Sequence, residues 1–253
     1  MSNPRTKASF SQKRPILTVV IIEVLLLLAV FAAGAYATIK ELSYTSPVLI
    51  SFIPIALVMI AYFTWKKKWN ALGFRKLSSI PANGWVYYSP LLLILIVISF
   101  KGMRDISASE VLFFLFFTLL VGFVEESIYR GLILRTLLPK GMKTAVITSS
   151  ILFAVTHVLN VLSGQDAFQT ILQIGYALLI GVVLALLMVK NKNIIPLILF
   201  HFLHNFIQFV GNDNSDAFIG YDLFLLLVLA VHCVWLSLSL RRPAVSASAN
   251  QAS

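Results

Sequence analysis

The chain has 253 residues, 59% of them hydrophobic and only 12% charged, with a formal net charge of +10 and a mean hydropathy of +0.90. Soluble domains carry about a quarter charged residues, and disordered chains carry far less apolar surface, so both classes are excluded. What remains is a protein that crosses a membrane several times.

A bilayer core of about 30 Å is crossed by roughly 20 apolar residues in a helix. Runs of that kind lie at 15–39, 47–65, 85–100, 107–139, 143–163, 168–190, 194–210 and 221–240. They predict an all-α, polytopic membrane helix bundle of about eight transmembrane helices. Residues 1–14 read as a flexible basic N-terminal tail, 15–240 as a single membrane domain and 241–253 as a flexible C-terminal tail. The first apolar run is longer than a signal-peptide core, which predicts an uncleaved span. Cys233 is the only cysteine, so an intramolecular disulfide is excluded.

Charge placement orients the bundle. With the N-terminus in the cytoplasm, the inside segments hold Arg5, Lys7, Lys13, Arg14, Lys66, Lys67, Lys68, Arg75, Lys76, Arg135, Lys140, Lys143, Lys190, Lys192, Arg241 and Arg242. The outside segments hold Lys40, Lys101 and Arg104, while Glu41, Asp105, Asp166, Asp213 and Asp216 all fall outside. This is the positive-inside pattern with both termini cytoplasmic. Basic residues at helix ends meet anionic lipid headgroups, so the positive charge implies membrane lipids as partners and no nucleic acid.

Ionisable residues inside a bilayer need a reason, because each costs about 2.5–3.5 kcal/mol at mid-depth on insertion scales. Glu23 lies near the cytoplasmic end of the first span, where it can snorkel or pair. His232, in the last span, reads as core. The fourth span carries Glu125-Glu126-Ser127-Ile128-Tyr129-Arg130. Glu126 and Arg130 have the i, i+4 spacing of an ion pair, and Glu125 is turned about 100° away. Facing lipid, the three charges would cost on the order of 8–10 kcal/mol, so they are expected in a polar cavity. His157 closes the sequence Phe153-Ala154-Val155-Thr156-His157 on the fifth span, and the seventh carries His201-Phe202-Leu203-His204-Asn205. His201 and Asn205 project from one face, and the role of His204 is open. At about 1.5 Å per residue, Glu125, His157, His201 and Asn205 all lie roughly 14–22 Å from the cytoplasmic boundary, so one pocket can collect them.

A carboxylate beside an imidazole can deprotonate a water, and an imidazole with a carboxamide can donate to the oxyanion of a tetrahedral intermediate. That suits amide hydrolysis. The same Glu125, His157 and His201 could instead ligate Zn²⁺, and spacing does not separate the two. His-Glu-x-x-His and Gly-x-Ser-x-Gly are both absent. Intramembrane Glu, His and Arg also serve proton-coupled transporters, but no internal repeat supports that class.

Glu-Glu-x-x-x-Arg at 125–130, Phe-x-x-x-His at 153–157 and His-x-x-x-Asn at 201–205, in this order on successive spans, resemble the three motifs of the CPBP family of CAAX-protease and bacteriocin-processing (Abi) intramembrane proteases. Asn193-Ile194-Ile195-Pro196 resembles the family's approach to its third motif. The likeness covers about 107–210, the expected protease core. It implies an intramembrane endopeptidase in which Glu125 and His157 activate water, His201 and Asn205 form the oxyanion hole, and Glu126 and Arg130 support the site. The substrate it implies is a membrane-associated peptide, prenylated or bacteriocin-like. The family is described both as metalloprotease and as metal-free glutamate protease, and the reading preferred here requires no metal. A compact chain of this kind resembles the bacterial branch, which implies a multi-pass protein of a bacterial plasma membrane. The competing expectation is a bacteriocin-immunity or scaffold protein that uses the fold without hydrolysis.

Overall fold

The computed structural model describes residues 9–159, 166–212 and 219–241. Eight principal helices follow one another: α1 (Pro15–Ile39), α2 (Ser46–Trp65), α3 (Ser89–Ser99), α4 (Ala108–Glu126), α5 (Met142–Thr156), α6 (Ala167–Asn191), α7 (Ile195–Val210) and α8 (Ile219–Arg241). They correspond in order to the predicted spans. Residues 160–163, the expected end of the fifth span, lie outside the described residues, as do 1–8 and 242–253 of the expected tails. Residues 9–14 hold a short helix, Phe10–Lys13, started by a reciprocal Ser9–Gln12 capping box.

The expected polytopic helix bundle is present, and one of its eight principal helices is shorter than a full span. Seven helical segments are long and apolar enough to cross a membrane, two of them with adjoining 3-10 turns counted (Ala82–Ser99 around α3 and Met142–Leu159 around α5), whereas α7 is a shorter apolar helix of 16 residues. Its ends explain the length. Asn193 starts it, accepting from Ile195 N at 3.0 Å while its Nδ2 donates to the Arg75 and Lys76 carbonyls. Gly211 stops it by turning into extended backbone and pairing with Met103 in an isolated antiparallel bridge. At 1.5 Å per residue α7 is about 24 Å long, short of the bilayer core.

Two helices form the centre. In its most apolar stretch, the continuous segment Ala108–Lys140 is 56% buried and Thr170–Asn191 is 50% buried, against 22–33% for the other spans. The first of these is α4 and its extension. The chain passes from α-helix into a π-helix at Ser127–Leu134, then into the short helix Arg135–Leu137 and a 3-10 turn at Leu138–Lys140. Every residue of this π segment except Leu132 is buried. Around it, α7 packs along α4, α5 along α6, and α1 along α2. The outer faces carry Leu25, Leu57, Val58, Leu92, Leu112 and Leu227, all exposed as a lipid-facing surface requires.

One end of the bundle gathers the basic loops. Arg135 Nη1 donates to the Ala71 carbonyl, and Ile194 N to the Gly73 carbonyl, so the 66–76 loop is tied to the ends of α4 and α6. The same end therefore carries the charges read as cytoplasmic.

Close approach of α7 to α4 depends on Gly122. A Cβ there would lie 3.2 Å from both Ile198 O and Phe202 N, backbone atoms that cannot swing away. We predict that Gly122→Val destabilises the protein by about 1–3 kcal/mol, the usual cost of overpacking. Thermal denaturation in detergent checks this, with Gly34→Val, whose Cβ position has nothing within 4 Å, remaining near wild type.

Candidate active site

The site forms where α4, α5, α6 and α7 meet around the Glu125–Glu126 pair. Glu126 and Arg130 are both completely buried, and Arg130 Nη1 lies 2.9 Å from Glu126 Oε1. The guanidinium donates with Nη2 to the Gly181 carbonyl of α6 at 3.3 Å and sits over the Phe153 ring at 4.4 Å. Gly181 is the second required glycine: a Cβ there would lie 3.3 Å from Ser150 Cα and from the Phe153 ring. Its absence lets α6 approach α5 closely and brings the carbonyl to the arginine.

His201 enters from α7 between the two carboxylates. Its Nδ1 lies 2.9 Å from Glu126 Oε1, and its Nε2 lies 3.3 Å from Glu125 Oε2. Carboxylate oxygens only accept unless protonated, so the Nδ1 hydrogen bond holds one proton between ring and carboxyl, while Nε2 lies within ion-pair distance of Glu125. Arg130 and His201 thus set a cation and a proton-donating ring against the two carboxylates, the kind of pairing that buried ionisable groups need. Glu125 is the most exposed member, its side chain 15% accessible against 0% for Glu126.

His157 stands on the 3-10 turn that follows α5. Its Nδ1 lies 2.9 Å from the Phe153 carbonyl, so Nδ1 carries the hydrogen and the Nε2 lone pair of the neutral ring is left available. Phe153 links the two imidazoles, its ring meeting His157 edge-on at 5.2 Å and His201 at 5.9 Å. The structure thus brings Glu125, Glu126, Arg130 and His201 into direct contact and sets His157 beside them. No hydrogen bond joins Asn205 to Glu125, Glu126 or His157; it lies one turn beyond His201 on α7.

Several participants were not legible in the sequence. Tyr129 is fully buried and donates to Thr156 at 3.3 Å, while Ser149 donates to the Tyr129 carbonyl at 2.8 Å, tying α5 to the π segment. Tyr176 of α6 reaches His204 at 2.9 Å. The pairing of α6 with α7 decides these contacts, and no local motif signals it. Glu23 differs from its expected snorkelling position. It is 6% exposed, and neither oxygen has a partner among the described residues, because Val19, Glu23 and Leu26 form the inward stripe of α1. His232 is core, as expected, with Nε2 donating to the Tyr87 carbonyl at 2.9 Å.

Among the described residues no three His, Cys, Asp or Glu side chains form a ligand group, and both ring nitrogens of His201 face carboxylates.

A polar cluster of two carboxylates, a guanidinium and an imidazole, buried among helices long enough to span a membrane, defines the candidate site of a multi-pass membrane protein. Comparison with known families agrees: residues 107–207 match the model of the Rce1-like family, described as type II CAAX prenyl endopeptidase Rce1-like. That stretch runs from the cap of α4 to the last turn of α7 and contains every residue of the cluster. The match is consistent with the CPBP/CAAX intramembrane protease motifs and points to CAAX-type intramembrane endopeptidase activity. No curated protein and no solved structure matches the chain.

Removing one partner of a buried ion pair costs about 3–5 kcal/mol, because the other charge is left uncompensated. We therefore predict that Arg130→Met destabilises the protein by that amount and that Arg130→Met with Glu126→Gln recovers part of it. Thermal denaturation of the two variants in detergent measures the difference.

Proposed function

We propose that this protein hydrolyses a peptide bond near the C-terminus of a prenylated, membrane-associated substrate, using a water activated by Glu125 and His157 without a metal. The observation that carries this reading is the contrast between the two carboxylates. Glu126 is held by Arg130 and the 2.9 Å His201 contact, whereas Glu125 is partly exposed and makes only the longer, 3.3 Å contact. Glu126 is fixed, and Glu125 is free to work.

The water sits between the Glu125 carboxylate and His157 Nε2, the nitrogen left unprotonated by the Phe153 carbonyl bond. As its oxygen bonds to the substrate carbonyl carbon, its proton passes to Glu125. Glu125 leaves the His201 contact in doing so, and His201 Nε2–H turns to the developing oxyanion together with the Asn205 carboxamide. The tetrahedral intermediate collapses with cleavage of the C–N bond, and Glu125 returns the proton to the departing amine. A carboxylic acid and a free amine result, the acid passes its proton to the amine to leave a carboxylate and an ammonium, and the site is restored. Arg130 acts at a distance by holding Glu126, which in turn orients His201.

A farnesylated, internally quenched CAAX peptide in detergent or proteoliposomes tests the reading. Wild type is expected to cleave it, and Glu125→Gln and His157→Ala to lose about 10²–10⁴-fold in kcat, the range of a general acid–base group. Chelation by 1,10-phenanthroline followed by desalting should leave the rate unchanged. Loss of activity on chelation with recovery on adding Zn²⁺ would overturn the metal-free step. Failure of wild type to cleave the peptide would overturn the substrate class.

A further inference from the structure

His204 lies beside Asn205 and outside the charged cluster, and nothing in the hydrolytic scheme above uses it. Its surroundings are nonetheless specific. The ring of Tyr176, on α6, stacks on the His204 ring with centroids 5.2 Å apart and planes 20° from parallel, and Phe200 packs against it at 5.7 Å. The Tyr176 hydroxyl lies 2.9 Å from His204 Nε2, and His204 Nδ1 lies 3.3 Å from Asn205 Oδ1.

The direction of these bonds follows from the chemistry of their ends. A carboxamide oxygen only accepts, so the hydrogen of the second bond resides on His204 Nδ1. A neutral ring then has a lone pair at Nε2, and the Tyr176 hydroxyl must donate to it. The chain runs one way: Tyr176 O–H to His204 Nε2, then His204 Nδ1–H to Asn205 Oδ1.

The consequence falls on Asn205. The two ends of a carboxamide are almost the same size, so an unfixed asparagine can present either its NH₂ or its oxygen to a cavity. Only the NH₂ end stabilises an oxyanion, and the oxygen end repels it. Here the oxygen is engaged by His204, and Nδ2 donates to no described residue. Its hydrogens are left unspent.

We infer that Tyr176 and His204 are positioning residues that lock the Asn205 carboxamide with its NH₂ directed at the substrate carbonyl oxygen. The inference rests on the reading of Asn205 as an oxyanion donor and adds to it the device that sets the donor's polarity. It also makes the oxyanion hole a joint product of α6 and α7, because the lock spans the two helices. The hole is complete only when they are docked.

Steady-state kinetics on the farnesylated CAAX peptide with Asn205→Ala, His204→Leu, His204→Asn, Tyr176→Phe and the His204→Leu/Asn205→Ala double variant test this. Asn205→Ala should lose about 100-fold in kcat, as removal of an oxyanion donor does. His204→Leu should lose about 10-fold in kcat, the scale of a lost orienting partner, with KM nearly unchanged. His204→Asn should recover most of that loss, since its amide N–H can replace Nδ1–H. The double variant should be no worse than Asn205→Ala, because an orienting residue has nothing to orient once the donor is gone. Independent, multiplying losses in the double variant would overturn the lock while leaving the donor role standing. An unaffected Asn205→Ala would overturn the donor role itself.

A second readout needs no substrate and decides the matter if His204→Leu fails to fold. With ¹⁵N-histidine labelling, NMR of the wild type should show His204 as the neutral Nδ1–H tautomer, assigned by its loss in His204→Asn. Tyr176→Phe should shift it toward the Nε2–H form. An Nε2–H tautomer in the wild type would overturn the proposal.

Discussion

Everything in this protein is arranged around one unfavourable fact: Glu126 and Arg130 are ionisable side chains with no access to solvent. In such surroundings a single unmatched charge costs several kcal/mol, whereas a balanced set with good hydrogen-bond geometry is tolerated. Balance here requires a third and a fourth group. His201 places its two ring nitrogens against the two carboxylates, and the Gly181 carbonyl and Phe153 ring flank the guanidinium. The ion pair thus dictates that α7, α6 and α5 all converge on α4.

The backbone features that looked incidental are the means of that convergence. Gly122 and Gly181 remove the side chains that would hold α7 and α6 away. The change to π winding directly after Glu126 alters the facing of the residues that follow, and Arg130 and Tyr129 within it are both wholly buried. π segments are rare and recur at functional sites. The result is a division of labour between adjacent carboxylates. Glu126 is fully buried and held through Oε1 by both Arg130 and His201, whereas Glu125 is partly exposed and makes only the longer His201 contact. The same contrast appears on α7, where His201 is clamped from both sides while Asn205 keeps its donor end free.

Much of this was legible before any coordinates. Apolar run length located every principal helix, because a membrane imposes both length and composition on a span. The i, i+4 spacing announced the Glu126–Arg130 pair, and depth along the helices placed His157 and His201 level with Glu125. Less legible were features that depend on which helix faces which. The short length of α7 follows from Asn193 binding the 75–76 loop and from the Gly211–Met103 bridge, contacts remote in sequence. The insertion of His201 between both carboxylates, the burial of Glu23 and the reach of Tyr176 to His204 depend on helix rotation, which a hydrophobic pattern leaves undetermined when all faces are apolar. Gly122 and Gly181 were invisible as functional residues because a glycine in a membrane helix is common.

The central claim is that the site cuts peptide bonds with Glu125 and His157. It is tested most directly by comparing peptide termini, residue by residue, in membranes from cells carrying wild type, Glu125→Gln or His157→Ala at matched protein levels. The account predicts a common set of termini present with wild type and lost equally in both variants. Stable, folded variants whose membranes show the same termini as wild type would contradict it.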